Sequence, residues 1–433
     1  MPAQPHKLNI MHYIVIVMAV LLQIQATFFA QEGYLGLRIG IADLFLPFAG
    51  LYVLFSMFIS KTSIWPRWSV RHMLVWLFAL LLIMSSALLN GYIVNGTVAS
   101  WAFINKYIGF LILLSYLALG GWIATNAKDM RHITTLFMGV FTKFFLFTIA
   151  LSLLAFFLQP LVPFSLWISD YPWDGLMANR NAYMVTFIIA FIFIIWSYAD
   201  NKTMIPAWVQ SIFWCCLPIF FVFNASRTGW IIAIALAVIL LLKNPIKRLK
   251  SIIPFLILGV VITYASFYAT TSATSEVLQG KQMRYLFALQ NERDELYMGD
   301  EKRYIAVEDG LELYHLYDPM IGAGLGSYRP FQIEKRGKFI EIIDFSGLWL
   351  LVETGALGVA VFAAFFMTCL WSLYQTGFVK NNNPYHRSML TFLIMFAAMS
   401  MLHELIYTRA LWFALGLALA YNHKDQQPNT NAS

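Results

Sequence analysis

Three short segments of this 433-residue chain carry residue types that could do chemistry, and all three lie between apolar runs. In the first, Arg180 stands between Asn179 and Asn181 where a helix is expected to begin. Its guanidinium and the free N–H groups at that helix start could share an anion. In the second, Arg227 is the one cation of the turn 224–229. A lone arginine there is either a functional cation or one that extends to lipid phosphates.

The third segment, 318–329, is a glycine-rich run with the sequence Asp-Pro-Met-Ile-Gly-Ala-Gly-Leu-Gly-Ser-Tyr-Arg. Its spacing is G-x-G-x-G rather than the G-x-G-x-x-G of dinucleotide-binding turns, and no strand is expected before it. We therefore exclude a nucleotide site. The remaining interpretation is a turn whose backbone passes close to a ligand or to a neighbouring helix.

Aromatic side chains are frequent in the loop 159–181, which precedes Arg180. Trp167, Tyr171 and Trp173 could stack on sugar rings. Tryptophan and tyrosine also collect at the interface between a membrane and water, and this is the simpler explanation of the three.

Ionisable residues inside apolar runs are costly and therefore suggest function. Lys106 and Asp43 lie in runs of this kind and are expected to form a structural ion pair, while Lys143 lies deeper in its run. His403, Glu404 and Arg409 cluster between the last two apolar runs, where they either border a site or cap a turn.

The composition of the chain indicates a polytopic membrane protein. Apolar residues make up 60% and charged residues only 12%, about half the charged share of a soluble domain. This excludes a soluble globular enzyme, a disordered chain and a nucleic-acid binder, although the net charge is +7. The three cysteines all lie in apolar runs and fit neither a disulfide framework nor a zinc site.

An all-α fold with about twelve transmembrane helices follows from the length of the apolar runs, since a helical span needs about 20 residues. The first run ends Phe28-Phe29-Ala30 and lacks the small residue at −3 that signal peptidase requires, so we expect it to be an uncleaved anchor. The last two runs are short enough to be a re-entrant pair. The runs are 9–30, 38–59, 73–93, 100–123, 135–158, 182–199, 207–224, 228–243, 252–271, 347–374, 388–402 and 405–421.

Lysine and arginine in the short loops predict the orientation. With the N-terminus inside, the inner loops hold 14 of them and the outer loops hold 4. Both termini are then cytoplasmic, and the chain divides into spans 1–271, one large and partly helical extracytoplasmic loop 272–346, and spans and tail 347–433. The inner loops are too short to fold into an ATPase or a nucleotide-sugar domain. Any chemistry in water is therefore expected on the outer side.

These segments, in this order, resemble the O-antigen ligase/polymerase superfamily of bacterial envelope glycan assembly. The resemblance covers about 180–360. Its motifs are an Asn-bearing helix start (Asn179 to Tyr183), a Ser-Arg-Thr-Gly hairpin (Ser226 to Gly229), an arginine, helix and Pro-x-x-Gly-x-Gly in the outer loop (Arg303, Pro319, Gly322, Gly324), and an L-x-x-E-x-G-x-x-G span start (Leu350, Glu353, Gly355, Gly358).

The resemblance implies a multi-pass inner-membrane glycosyltransferase of GT-C-like architecture with a periplasmic active site. Its donor and acceptor would be undecaprenyl-pyrophosphate-linked glycans. Ligases of the family carry a histidine where this chain has Asp344, followed by Phe345. This departure favours a Wzy-type polymerase over a ligase that transfers the glycan to lipid A-core. A co-polymerase that controls chain length is an expected partner.

For this reaction the resemblance and the chemistry of a diphosphate leaving group assign the site residues. Arg180, Arg227 and Arg303 are expected to neutralise the diphosphate, and Asp344 is expected to accept the proton of the acceptor hydroxyl. Glu341, His315 and His403 are alternative bases. Asn181, Tyr328, Arg329, His403, Glu404 and Arg409 complete the predicted substrate-binding set. We expect neither a metal nor a cofactor.

A secondary transporter is the main rival, because about twelve spans is a common transporter count. The largest loop of this chain is expected outside rather than in the middle on the cytoplasmic side, and the two halves do not repeat. A purely structural scaffold is a third possibility, but it leaves the outer arginines unexplained.

Overall fold

The computed structural model describes residues 9–28, 37–60, 62–63, 65–158, 172–177, 179–199, 205–224, 226–242, 245–271, 293–380 and 383–420. These ranges contain fourteen α-helices and one β-hairpin. In the first half lie α1 Ile10–Leu21, β1 Gln25–Phe28, β2 Leu37–Gly40, α2 Ile41–Ser60, α3 Met73–Asn95, a π-helical segment Ala102–Ile108 that continues into α4 Gly109–Asn126, α5 Met130–Leu158, a 3₁₀ turn Pro172–Met177 and α6 Arg180–Ala199.

The second half begins with α7 Ala207–Asn224, α8 Arg227–Leu242 and α9 Pro245–Thr271. The loop helices are α10 Arg293–Leu316 and α11 Tyr328–Arg336. Then follow α12 Ser346–Tyr374 with a π-helical extension Gln375–Lys380, α13 Pro384–Ser400 and α14 Arg409–Leu419.

The helices outside the loop follow the twelve apolar runs in order. Within the described ranges, seven helical segments are long and apolar enough to cross a membrane, and four further apolar helices are shorter. The prediction of an all-α polytopic membrane protein is confirmed.

The two largest differences from the prediction are the end of α1 and the start of the first loop helix. The first apolar run does not form one helix, because α1 ends at Leu21 and β1 then pairs antiparallel with β2. The amide of Gln23 fixes this end by donating to the carbonyls of Ala19 and Phe141 at 2.8 and 3.0 Å. In the large loop the helix expected after Arg303 begins before that residue, at Arg293.

The short last helix is explained by its burial. Every residue of α14 from Ala410 to Leu419 is buried, and glycines on facing turns bring it against α4. A Cβ at Gly120 would lie 2.4 Å from the carbonyl oxygen of Phe413, and a Cβ at Gly416 would lie 2.3 Å from that of Leu117. The helix is therefore short because it lies inside the bundle, where its length is not set by the lipid.

The glycine-rich segment forms a turn that enters a break in α12. At Gly355 the helix leaves helical geometry with φ 70° and ψ −178°, which frees backbone groups on both sides of the break. The N–H of Ala323 donates to the carbonyl of Val352 at 2.8 Å, and the N–H of Ala356 donates to the carbonyl of Pro319 at 2.9 Å. The turn therefore satisfies backbone groups that the helix leaves open.

The opposite side of this glycine turn packs on α3. The N–H of Leu325 donates to the carbonyl of Ala87 at 2.8 Å, and the side-chain amide of Asn90 donates to the carbonyl of Gly322 at 2.7 Å. Since Ala87 lies well inside α3, the turn is wedged between two candidate spans. It fixes the loop helices α10 and α11 against the bundle.

Gly324→Ala tests whether the glycine turn packs closely on α3. Both Gly324 and Gly337 have a positive φ, at 89° and 73°, but a Cβ at Gly324 would lie 2.0 Å from the backbone nitrogen of Gly91, whereas Gly337 has open space around it. We expect Gly337→Ala to lose about 1 kcal/mol from the left-handed backbone alone. Gly324→Ala should lose several times more or fail to fold, as measured by thermal unfolding of the purified protein in detergent.

Equal changes in the unfolding temperature of the two variants would show that the turn does not pack on α3 as described.

Candidate functional site

Arg180 is the first residue of α6, as the sequence predicts. The helix start is capped by Asn179, whose side-chain oxygen accepts the N–H groups of Asn181 and Ala182 at 2.8 and 3.1 Å. Asn181 contributes its backbone N–H to this cap. The positive end of the α6 dipole therefore adds to the charge of Arg180.

A buried amide joins Arg180 to the hairpin between α7 and α8. The side chain of Asn224, fully buried at the end of α7, donates to the carbonyls of Trp173 and Arg180 at 3.0 and 3.3 Å. Helix α8 begins three residues later at Arg227. The two polar segments predicted from sequence thus lie at the same end of the bundle; the side chain of Arg227 lies outside the described residues.

Arg303 and Asp344 form an ion pair across the large loop. The Nε of Arg303 lies 3.1 Å from the Oδ2 of Asp344, and the two side chains are 37% and 22% exposed. Neither group is sealed in the protein, so an anion from solvent can compete with Asp344 for the guanidinium. The pair places the predicted proton acceptor beside one of the predicted diphosphate-binding arginines.

The turn 401–408 between α13 and α14 brings His403 to the same place. The hydroxyl of Ser346 donates to the carbonyl of His403 at 2.8 Å and accepts the N–H of Leu405 at 3.0 Å. Since Asp344 lies just before Ser346 in the chain, these two bonds hold His403 beside the Arg303–Asp344 pair. The side chain of His403 is buried.

The charges around His403 show which groups converge on it. Burial, together with the positive charges of Arg303 and Arg180, lowers the pKa of His403 to about 4. The imidazole is therefore neutral at neutral pH. The Arg303–Asp344 pair, the bonds of Ser346 to the turn 401–408 and the effect of Arg180 on His403 together bring Arg180, Arg303, Asp344 and His403 to one region from four separate parts of the chain.

Two predicted site residues are engaged elsewhere in ion pairs. Arg409 donates to both carboxylate oxygens of Asp43 at 2.6 and 2.8 Å, and Glu404 pairs with Lys106. The expected pairing of Lys106 with Asp43 is wrong. Glu404 on the turn 401–408 pairs with Lys106, and Arg409 at the start of α14 pairs with Asp43. The sequence spacing could not indicate either pairing.

Tyr328 and Arg329 occupy different environments at the start of α11. The hydroxyl of Tyr328 is buried, donates to the carbonyl of Ala306 at 3.3 Å and accepts the amide of Gln332 at 2.9 Å. This hydroxyl is therefore used in packing α11 on α10. The guanidinium of Arg329 lies 5.1 Å from the ring centre of Phe339, beside a small cavity that Lys106 and Glu353 also line.

Trp173 does not offer a sugar-stacking face. It is fully buried and stacks on Phe223, with ring centres 4.8 Å apart and planes within 8°. Neither of the two explanations given for this aromatic loop applies to Trp173, which is a core residue. Trp167 and Tyr171 lie outside the described residues.

Ser346 and Glu353 also help to build the site, in structural roles that were not predicted. Glu353 is buried and accepts the indole N–H of Trp349 at 2.8 Å and the N–H of Gly326 at 3.2 Å. It thus joins α12 to the glycine turn. A carboxylate in an apolar run is the sequence signal for this role, in addition to its place in the L-x-x-E-x-G-x-x-G motif.

In the described part of the chain, no three His, Cys, Asp or Glu side chains are grouped to hold a metal ion. Metal independence remains a prediction, and the arginines are the positive charges that the site offers.

Comparison with known proteins supports the resemblance. Residues 211–363 match the family described as O-antigen ligase, and the resemblance to the ligase/polymerase superfamily is confirmed for this part of the chain. No curated protein matches the chain. The matched segment includes the α7–α8 hairpin, Arg303, the glycine turn and Asp344, and it supports a role in glycan processing at a membrane.

The ionisation of His403 tests the convergence of charges. We expect ¹⁵N NMR of histidine-labelled protein to show a neutral His403 ring at pH 6, with the signal assigned by His403→Gln. Arg303→Ala should raise the pKa toward the ordinary value of about 6.5, because one of the two nearby cations is lost. The neighbouring Lys302→Ala should leave it unchanged.

The same pKa determines how the stability of the fold should change with pH. Since protonation is harder in the folded state, His403 should reduce stability as the pH falls from about 6.5 toward its folded pKa. A His403 ring that is charged at pH 6, or a His403 pKa that does not change in Arg303→Ala, would contradict this arrangement.

Proposed function

We propose that the protein is a membrane glycosyltransferase that polymerises undecaprenyl-pyrophosphate-linked oligosaccharide repeat units on the periplasmic face of the inner membrane. The observation that carries this proposal is the convergence of Arg180, Arg303, Asp344 and His403 at one end of the bundle. The family match over 211–363 supports the same class of chemistry.

The two guanidinium groups suit a lipid-linked diphosphate. A guanidinium can bind phosphate oxygens through two N–H groups in a planar fork. The lowering of the His403 pKa by both charges supports a shared site, and the N-terminus of α6 adds its dipole beside Arg180. A site of this kind stabilises negative charge as it develops on a leaving diphosphate. Arg227, at the start of α8, is the third arginine that we assign to this role.

The proposed reaction is a displacement at the anomeric carbon of the donor. The acceptor hydroxyl oxygen forms a bond to that carbon, and the bond to the diphosphate oxygen breaks. The diphosphate leaves with the electron pair, and the hydroxyl proton passes to Asp344. Donor binding would draw Arg303 from Asp344 to the diphosphate and so free the carboxylate to accept the proton. His403 is the second candidate, since its ring is neutral and can accept a proton.

Polymerisation is preferred to ligation because Asp344 replaces the histidine that ligases of the family carry at this place. In the ligase alternative the acceptor is lipid A-core instead of a second lipid-linked repeat. The proposal also includes cytoplasmic termini and a co-polymerase partner that controls chain length. A transporter remains the candidate of another class, and no contact among the described residues favours it.

Arg303→Ala is expected to abolish glycan lengthening. Loss of one such cation should reduce transfer at least about a hundredfold, on the scale of a lost oxyanion-hole donor. The matched control is Lys302→Ala, which removes an exposed charge from the adjacent position of the same helix. Its rate should stay within about threefold of the wild type, as surface changes away from a site have small effects.

Both variants are purified and compared per folded molecule, with a lipid-linked repeat as substrate and the product resolved on a gel. Near-normal long chains in Arg303→Ala would remove the diphosphate-binding role.

The acceptor is tested by incubating the purified wild type with a lipid-linked repeat, with and without lipid A-core. We expect a ladder of products from the repeat alone, because a polymerase uses the repeat as donor and as acceptor. Product that requires lipid A-core would establish the ligase. Uptake of the lipid-linked sugar into vesicles without any lengthening would favour the transporter.

A further inference from the structure

Lys106 is a buried cation enclosed by aromatic rings. It lies in the π-helical segment before α4, and only 3% of the residue is exposed. Its Nζ is 4.3 Å from the ring centre of Trp349 and 5.0 Å from those of Trp101 and Tyr407. Such rings attract a cation through their faces. Irregular helical turns of this kind are frequent at functional sites.

The charge of Lys106 is balanced from two different elements. Glu404, on the turn 401–408, forms a direct ion pair with it. Glu353, on α12, lines the same small cavity and is itself fixed by Trp349 and the N–H of Gly326. One lysine therefore lies where α4, α12, the glycine turn and the turn 401–408 meet.

The turn 401–408 depends on this lysine at two points. Besides the ion pair of Glu404, the hydroxyl of Tyr407 donates to the backbone carbonyl of Lys106 at 2.9 Å. His403 directly precedes Glu404 in the chain, so a movement of the Glu404 side chain toward water would carry His403 with it. Removing one member of a buried ion pair leaves the other charge unpaired and strongly favours such a movement.

We propose that Lys106 is a positioning residue for glycan transfer, which holds His403 toward Arg303 through its ion pair with Glu404. The proposal rests on the proposed function for its catalytic consequence, while the positioning itself can be measured without any substrate. No step of the reaction requires Lys106 to touch the substrate.

Lys106→Met removes the positive charge but keeps an unbranched side chain of similar volume. Glu404 is then left without its partner. Lys106→Arg keeps the cation and is the conservative variant. Lys143→Met is the matched control, since Lys143 is also a lysine inside a candidate span but is exposed on the bundle surface, with its Nζ 6.0 Å from the ring centre of Trp208.

The first measurement follows the turn directly. A cysteine replaces Leu402, which is 43% exposed, in a protein whose three native cysteines are changed to serine or alanine, and its reaction with a maleimide is timed. We expect Lys106→Met to speed labelling at least about fivefold, the effect of a modest loss of local stability. Lys106→Arg and Lys143→Met should label at the wild-type rate. Unchanged labelling in Lys106→Met overturns the proposal.

The second measurement connects the turn to the site. The charged groups that act on His403 are Arg303 and Arg180. Asp344 is paired with Arg303, and Glu404, the next residue after His403, is paired with Lys106. If Lys106→Met moves the ring away from the arginines, its pKa in ¹⁵N NMR should rise toward the ordinary histidine value. A pKa unchanged from wild type overturns the proposal, because a merely structural lysine would alter only the amount of folded protein.

The third measurement is the rate of transfer per folded molecule. We expect kcat of Lys106→Met to fall about a hundredfold, the effect of misplacing a site group by about 1 Å, while KM for the donor changes by less than about threefold. Lys106→Arg should restore most of kcat. An unchanged kcat overturns the positioning role. If the wild type itself transfers no glycan, the proposed function fails, and labelling and NMR still decide whether Lys106 holds the turn.

Discussion

The backbone N–H and C=O groups of α12 need hydrogen-bond partners where the helix breaks. The arrangement of the surrounding elements depends on this requirement. A helix that opens at Gly355 inside an apolar layer exposes N–H and C=O groups that no water can bind. The glycine turn supplies the missing partners through Ala323 and Pro319. Because the same turn packs on α3, the large loop is fixed between two candidate spans. Arg303 and Asp344 belong to that loop, so the glycine turn also positions these two residues.

The charged groups around the glycine turn differ in how far they are exposed to solvent. The groups enclosed by protein are paired, as Arg409 is with Asp43 and Lys106 is with Glu404. The more exposed Arg303–Asp344 pair is open to an incoming anion. The inner pairs hold the elements together, while the outer arginines remain able to bind a ligand. This division assigns Arg409, Glu404 and Tyr328 to the framework of the site, although the sequence placed them in the substrate-binding set.

Much of the fold and part of the site could be predicted from the sequence. Hydropathy and length locate the helices, and Asn179 with Arg180 identifies the start of α6 because capping is a local property. Pairings between distant residues could not be predicted, since Lys106 and Glu404 lie 298 positions apart and many acids were available. The end of α1 at Leu21 was missed for the same reason. It depends on a contact of Gln23 with α5.

The central claim is that two arginines from separate elements hold one diphosphate. A cryo-electron microscopy structure of the purified protein with a bound polyprenyl diphosphate tests it most directly. We expect the diphosphate to lie within hydrogen-bonding distance of both Arg180 and Arg303, with His403 beside it. A diphosphate held by other residues, with these two guanidinium groups out of reach, would contradict the account.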